Sequence, residues 1–126
     1  MTARALVITP APAAPKPERV YIARESQAEP GGPIEVVILS GGHERALPAT
    51  GVFSNDFEWG RASTRSIELS LSILVDLTGR QPSPRLYQMA AAFAQAYVIG
   101  APASGFEIAQ AVIEAWVMTW YGDRLS

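Results

Sequence analysis

Ile67-Glu68-Leu69-Ser70-Leu71-Ser72-Ile73-Leu74-Val75-Asp76-Leu77 decides the fold of this chain. Its first half alternates apolar and polar residues as a strand would, so periodicity alone does not settle it. Length and context select a helix, because Ile67, Leu71, Leu74 and Val75 also share one helical face and Ser63 or Thr64 can cap the start. With Leu69, Ile73 and Leu77 on the other side, the helix is apolar nearly all round and is expected to be the central, buried one.

Downstream, Ser83 and Pro84 suit the cap and first turn of a second helix. Leu86, Met89, Ala90, Phe93 and Tyr97 then recur at helical spacing until Gly100 stops it. Ser104 and Glu107 have the spacing of a capping box and predict the start of a third helix. Its expected stripe is Ala109, Val112, Ile113, Trp116, Val117 and Trp120, with Gly122 at the end.

Upstream, the period shortens. Arg19 to Arg24 reads as a strand, Pro30-Gly31-Gly32-Pro33 as a turn, and Ile34 to Leu39 as a second strand ended by Gly41-Gly42. A hairpin is the economical arrangement. Glu44 to Leu47 suggests a short third strand, and Val52-Phe53 another extended piece. Residues 1–17, with Pro10, Pro12, Pro15 and Pro17 among alanines, read as a flexible leader. The expectation is a single α+β domain over 18–126, a small antiparallel sheet of two to four strands in the first half packed with three helices in the second.

Composition limits the chemistry. The 126 residues include no cysteine, which removes disulfides, thiol nucleophiles and zinc–thiolate sites. The only histidine, His43, lies in a glycine turn and reads as a solvated turn residue, so no metal site or cofactor is expected. Ser63, Ser66, Ser70 and Ser72 cluster without the elbow motif of a serine hydrolase. The net charge is −2 and the basic residues are thinly spread, which argues against nucleic-acid binding. No apolar run is long enough to span a bilayer or to form a secretory signal, so a cytoplasmic protein without a membrane partner is expected. Apolar residues make up 48% and charged residues only 17%, which points to a protein partner.

One loop gathers functional residue types: Asp56, Glu58, Trp59, Arg61 and Arg65. An acid held against an indole ring can be raised in pKa and move protons, whereas the same acid beside an arginine simply pins a loop. The pinning role is preferred, with Trp59 as the anchor between sheet and central helix. At the C-terminal helix, Trp120 and Tyr121 are a candidate interaction surface. The sequence leaves open whether they face a partner or the core.

Phe57-Glu58-Trp59-Gly60, followed by the helix Leu69 to Asp76, resembles domain-of-unknown-function family 6166, small proteins of bacteria, phages and plasmids. The family pattern looks like Phe-x-Trp-Gly-Tyr, a Gly-Ser-Gly-Pro turn, and a leucine- and alanine-rich helix ending in aspartate. The spacing from Trp59 to Asp76 fits without a gap, and the resemblance covers roughly residues 19 to 120. Where the family has tyrosine and the glycine turn, this chain has Arg61-Ala62-Ser63-Thr64-Arg65-Ser66. The resemblance implies a phage or mobile-element setting and transfers no catalytic residue. Two functions follow as expectations: a non-enzymatic interaction or accessory protein, such as a host-directed inhibitor, or a small-ligand binder or enzyme using the Asp56–Arg65 loop.

Overall fold

The computed structural model describes residues 18–25 and 34–125, with side chains to residue 122. The leader 1–17 and the Pro30-Gly31-Gly32-Pro33 turn lie outside the described residues.

Strand β1 (Val20–Glu25) pairs antiparallel with β2 (Ile34–Ser40), Val20 opposite Leu39 and Tyr21 opposite Ile38. Strand β3 (His43–Ala46) turns back along β2 through the Gly41-Gly42 corner, and His43 stands exposed at its start. The helices are α1 (Thr64–Thr78), α2 (Pro84–Phe93) and α3 (Gln110–Leu125). The chain is therefore α+β, a four-stranded antiparallel sheet packed with three helices.

Strand β4 (Phe106–Ala109) comes from the segment read in sequence as the start of the third helix. Ser104 and Glu107 do not form a capping box; Phe106 pairs with Ala23 and Ile108 with Tyr21, giving the sheet order β3-β2-β1-β4. The capping signature is a local preference worth about 1 kcal/mol, and the free edge of β1 outbids it with a ladder of backbone hydrogen bonds. The extended piece expected at Val52-Phe53 is also absent, since Phe53 N–H bonds a side chain instead of a strand.

Both helix starts follow the sequence. Ser63 Oγ accepts from Ser66 N–H, Ser83 Oγ accepts from Leu86 N–H, and Gly79 closes α1 with its N–H on Val75 O. The second helix widens over Ala94–Val98, where Ile99 N–H reaches back to Ala94 O at 2.8 Å. Helix α1 is central: Leu69, Leu71, Ile73 and Leu74 are fully buried, together with Tyr21, Ile38, Phe93 and Ile113. Each such apolar side chain contributes about 1.5–3 kcal/mol by leaving water. Trp116 meets Phe93 and Tyr97 edge to face, and Phe93 and Tyr97 lie tilted against each other, joining α2 to α3 with ring centroids 5.0 to 6.5 Å apart. Trp116 is half-buried on the expected stripe, but Val112 lies outside it at 46% exposure. Beginning the helix at Gln110 instead of Ser104 leaves Ile113 and Trp120 to face the core.

Asp76 ties helix to sheet. Its carboxylate accepts from Tyr21 Oη at 2.6 Å, Arg19 Nη1 at 3.3 Å and Arg45 Nη2 at 3.0 Å. Burial, reinforced by the Asp76 carboxylate, pushes the Tyr21 hydroxyl well above its usual range, so it stays a donor. Replacing Tyr21 by Phe is expected to lower unfolding free energy by about 1.5–3 kcal/mol, the range for a hydrogen bond to a charged acceptor. Urea denaturation measures it, and an unchanged midpoint would deny the bond any net contribution.

The sheet is covered by helices on one face only. Tyr21, Ala23, Val36, Ile38 and Ile108 belong to the cluster that includes the helices' buried residues, whereas Ile22 and Val37 fall outside it. Because side chains alternate across the pleat, Val20, Ile22, Val37, Leu39 and Ala109 occupy the opposite face together with Arg24, Glu35, Glu44 and Glu107, and Ile22 and Val37 there are only 9% exposed. On that same face Arg24 bonds Glu35 opposite it at 2.7 Å and both oxygens of Glu44, the partner of Leu39 farther along β2, at 3.0 and 2.7 Å. The bidentate pairing with Glu44, then Glu35, raises the Arg24 pKa, and the same contact holds Glu44 below the usual carboxylate range.

Candidate functional site

Residues 47–63, between β3 and α1, contain no helix or strand, yet they are tightly fixed. The fixing group is Glu68, fully buried on α1. Its Oε2 accepts from Thr50 N–H and Oγ1, each at 2.7 Å, from Gly51 N–H at 3.3 Å and from Ser72 Oγ at 2.7 Å. Its Oε1 accepts from Phe53 N–H at 2.9 Å and Ser54 N–H at 3.3 Å. Burial by itself would raise the Glu68 pKa. The bonds from Phe53, Ser72 and Thr50 outweigh it and hold the carboxyl below its usual range. Glu68 is therefore an anion without a counter-cation among the described residues, neutralised by the dipoles of the loop it organises.

The far end of the loop is fixed by Trp59 and Gly60. The Trp59 indole N–H donates to Pro102 O at 3.1 Å, its ring stands at 90° to Phe106, and Gly60 N–H donates to Val98 O at 2.9 Å. Trp59 thus pins the loop to the turn entering β4 while remaining half-buried. At the start of α1, Ser63 Oγ donates to Glu58 Oε2, and Ser66 Oγ donates to Arg61 O at 2.6 Å. Ser70 Oγ donates to Ser66 O at 3.0 Å and Ser72 to Glu68, so the serine cluster serves the helix and its loop.

The five candidates of the Asp56–Arg65 loop separate. Glu58 and Arg61 form an ion pair at 3.8 Å, with Arg61 pointing outward at 72% exposure. Asp56, Glu58, Trp59 and Arg65 line one open cleft of about 580 Å³ together with Ile34, Glu35 and Val36. Glu35 in that cleft is engaged by Arg24 and Glu58 by Ser63 and Arg61. Among the described residues, neither the Asp56 carboxylate nor the Arg65 guanidinium has a hydrogen-bond or ion-pair partner, although Asp56 N–H donates to Ser54 Oγ at 3.1 Å.

The C-terminal candidates behave differently. Trp120 is 6% exposed and belongs to the core, so it does not present an aromatic surface. Tyr121 is half-buried, 5.4 Å from the Trp120 ring, and is covered by Arg80 and Arg85, whose guanidinium carbons lie 5.8 and 5.4 Å from its ring centre. Among the described side chains of α3, Val112 and Met118 are the exposed large apolar ones, the latter at 75%.

Glu68 was the residue to find in the sequence. It is the lone carboxylate inside the buried run Ile67 to Val75, with Ser72 four positions later on the same face. Asp76 stood out only through the family pattern, and its partners on β1 and β3 are distant in sequence. Among the described residues, no group of three or more His, Cys, Asp or Glu could hold a metal ion, and no helix is long and apolar enough to cross a membrane. No protein-family model, curated protein or solved structure matches the chain.

Proposed function

We propose that this chain is a small non-enzymatic interaction protein whose partner, another protein, packs on the sheet face opposite the helices. The observation that carries this reading is the apolar strip Val20, Ile22, Val37, Leu39 and Ala109 on that face, bordered by the charged side chains of Arg24, Glu35, Glu44 and Glu107. Continuous apolar strands such as Val36-Val37-Ile38-Leu39 belong to sheets covered on both sides. The charge distribution supports a protein over a nucleic acid, since Arg19, Arg24 and Arg45 are paired with carboxylates. The resemblance at Phe57 to Gly60 supports a cytoplasmic accessory role in a phage or mobile element, including inhibition of a host protein.

The test compares the wild type with Leu39→Lys, a half-buried position on that face. Fold stability is expected to change by less than about 1 kcal/mol, as the lysine stem can lie along the face with its ammonium in water. Capture of a specific partner from host lysate is expected to fall about tenfold or more, the cost of leaving a charge in an apolar interface. Equal recovery by both chains, or no specific partner with the wild type, counts against the proposal; sedimentation of each chain shows whether the partner is a second copy.

A further inference from the structure

Irregular connections longer than about 12–15 residues inside small domains usually carry function. The 47–63 segment is of this kind, and both of its ends are tied to the core: Thr50 to Ser54 by Glu68, Gly60 by Val98 O. Between those ties, Asp56, Phe57 and Trp59 line the cleft, which Ile34 and Val36 of β2 also line. Its volume, about 580 Å³, falls within the roughly 300–1,000 Å³ of small-ligand sites. A wall already ordered spares a ligand the cost of ordering it, which otherwise consumes about 0.5–1.5 kcal/mol per immobilised side chain.

The free charges specify the ligand. Glu35 and Glu58 are occupied by Arg24, Ser63 and Arg61, so the groups left to recognise a ligand are the carboxylate of Asp56 and the guanidinium of Arg65. Around them lie Phe57, Trp59, Ile34 and Val36, an apolar floor. We infer that this cleft binds a zwitterionic ligand of about tripeptide size, a short peptide with both termini free. Its ammonium pairs with Asp56, its carboxylate takes the fork of Arg65, and its apolar side chains rest on Trp59 and Phe57. The cleft meets the sheet face proposed for the protein partner at Glu35, but its recognising groups lie elsewhere and neither reading depends on the other.

Titration of the whole chain with trileucine, followed by the indole N–H signals in ¹H–¹⁵N spectra, tests this, with the Trp59 signal assigned through Trp59→Phe. Trileucine is expected to shift the Trp59 signal with millimolar or tighter affinity. N-acetyl-trileucine and trileucine amide should each bind about tenfold or more weakly, the loss expected for one charge-assisted contact. Asp56→Asn should weaken trileucine by a similar factor without further weakening the N-acetyl form, and Arg65→Gln should do the same for the carboxylate end. Both positions are exposed, and circular dichroism melts verify that the variants fold. Absence of a Trp59 shift at about 10 mM trileucine, or equal binding of the capped peptides, overturns the inference. Leucine binding as tightly as trileucine overturns the assigned size.

Discussion

Glu68→Gln is expected to lower the unfolding free energy by about 3–5 kcal/mol, comparable to breaking a buried charge pair. The substitution keeps the shape of the side chain and replaces one acceptor oxygen with a donor. If nitrogen takes the place of Oε1, the N–H groups of Phe53 and Ser54 face another donor; if it takes the place of Oε2, Thr50, Gly51 and Ser72 do. Each buried donor left without an acceptor costs about 1–3 kcal/mol, reduced where the loop peels open to water. Peeling breaks the edge contact of Phe53 with Tyr87, whose ring centroids are 5.4 Å apart. Chemical denaturation gives the global loss, and hydrogen exchange should show faster amides from Thr50 to Ser54. A loss under about 1 kcal/mol would mean that these donors find other acceptors cheaply.

The same carboxylate sets an acid limit. Its pKa is lower folded than unfolded, so its contribution is fully present above the unfolded value of about 4.3. That contribution is lost as pH falls through the folded value. The wild type should therefore lose stability in acid faster than Glu68→Gln, and the gap between them should narrow below about pH 4. A gap constant with pH would show that Glu68 titrates alike in both states.

Gly105→Ala is expected to cost at least about 3 kcal/mol, among the large effects that single substitutions produce. Gly105 has φ +110°, and a Cβ there would lie 1.9 Å from Ala23 O and 2.9 Å from Ala23 C. Both are backbone atoms of β1, so no side-chain rotation relieves the overlap. Accommodating a methyl group means moving β4 off β1 and losing the pairing of Phe106 with Ala23 and Ile108 with Tyr21. Gly42→Ala is the control, since it shares a positive φ of +82° but has open space around it. Its cost should be the left-handed backbone term alone, about 1–2 kcal/mol. Thermal unfolding of the two variants side by side separates strain from overlap, and equal shifts would refute the close approach of Gly105 to β1.

Much of the fold was legible because its signals are local. Ser63 and Ser83 start α1 and α2 through hydrogen bonds within a few residues, with Pro84 suited to the first turn, and the apolar run of α1 declares its burial; the stop at Gly79 was not read from the sequence. Beta-branched runs marked β1 and β2. Trp59 was readable as a pin from its size and its glycine neighbour, although its acceptor, Pro102 O, was not. Where a local signal competed with a distant partner, reading failed. Ser104 and Glu107 look like a helix start, but the open edge of β1 recruits Phe106 to Ala109 as a strand and shifts the start of α3 to Gln110. Val112, expected on the buried stripe, is exposed, and Trp120, which the sequence left open between partner and core, lies in the core.

By itself, the order of residues determined the α+β class, the central buried helix, the lack of thiol chemistry and the loop in which charged and aromatic residues gather. These follow from periodicity, caps and composition, which act over one or two turns of chain. Only the tertiary structure decided that Glu68 is the acceptor at the centre of that loop, that Asp76 joins helix to sheet, and that β4 completes the sheet. It also decided which charges are paired, joining Glu58 to Arg61 and leaving the Asp56 carboxylate and Arg65 guanidinium without partners among the described residues in one cleft. The physical reason is that a buried charge must be satisfied by whatever donors the packed chain brings to it, and those donors come from segments that no local pattern connects.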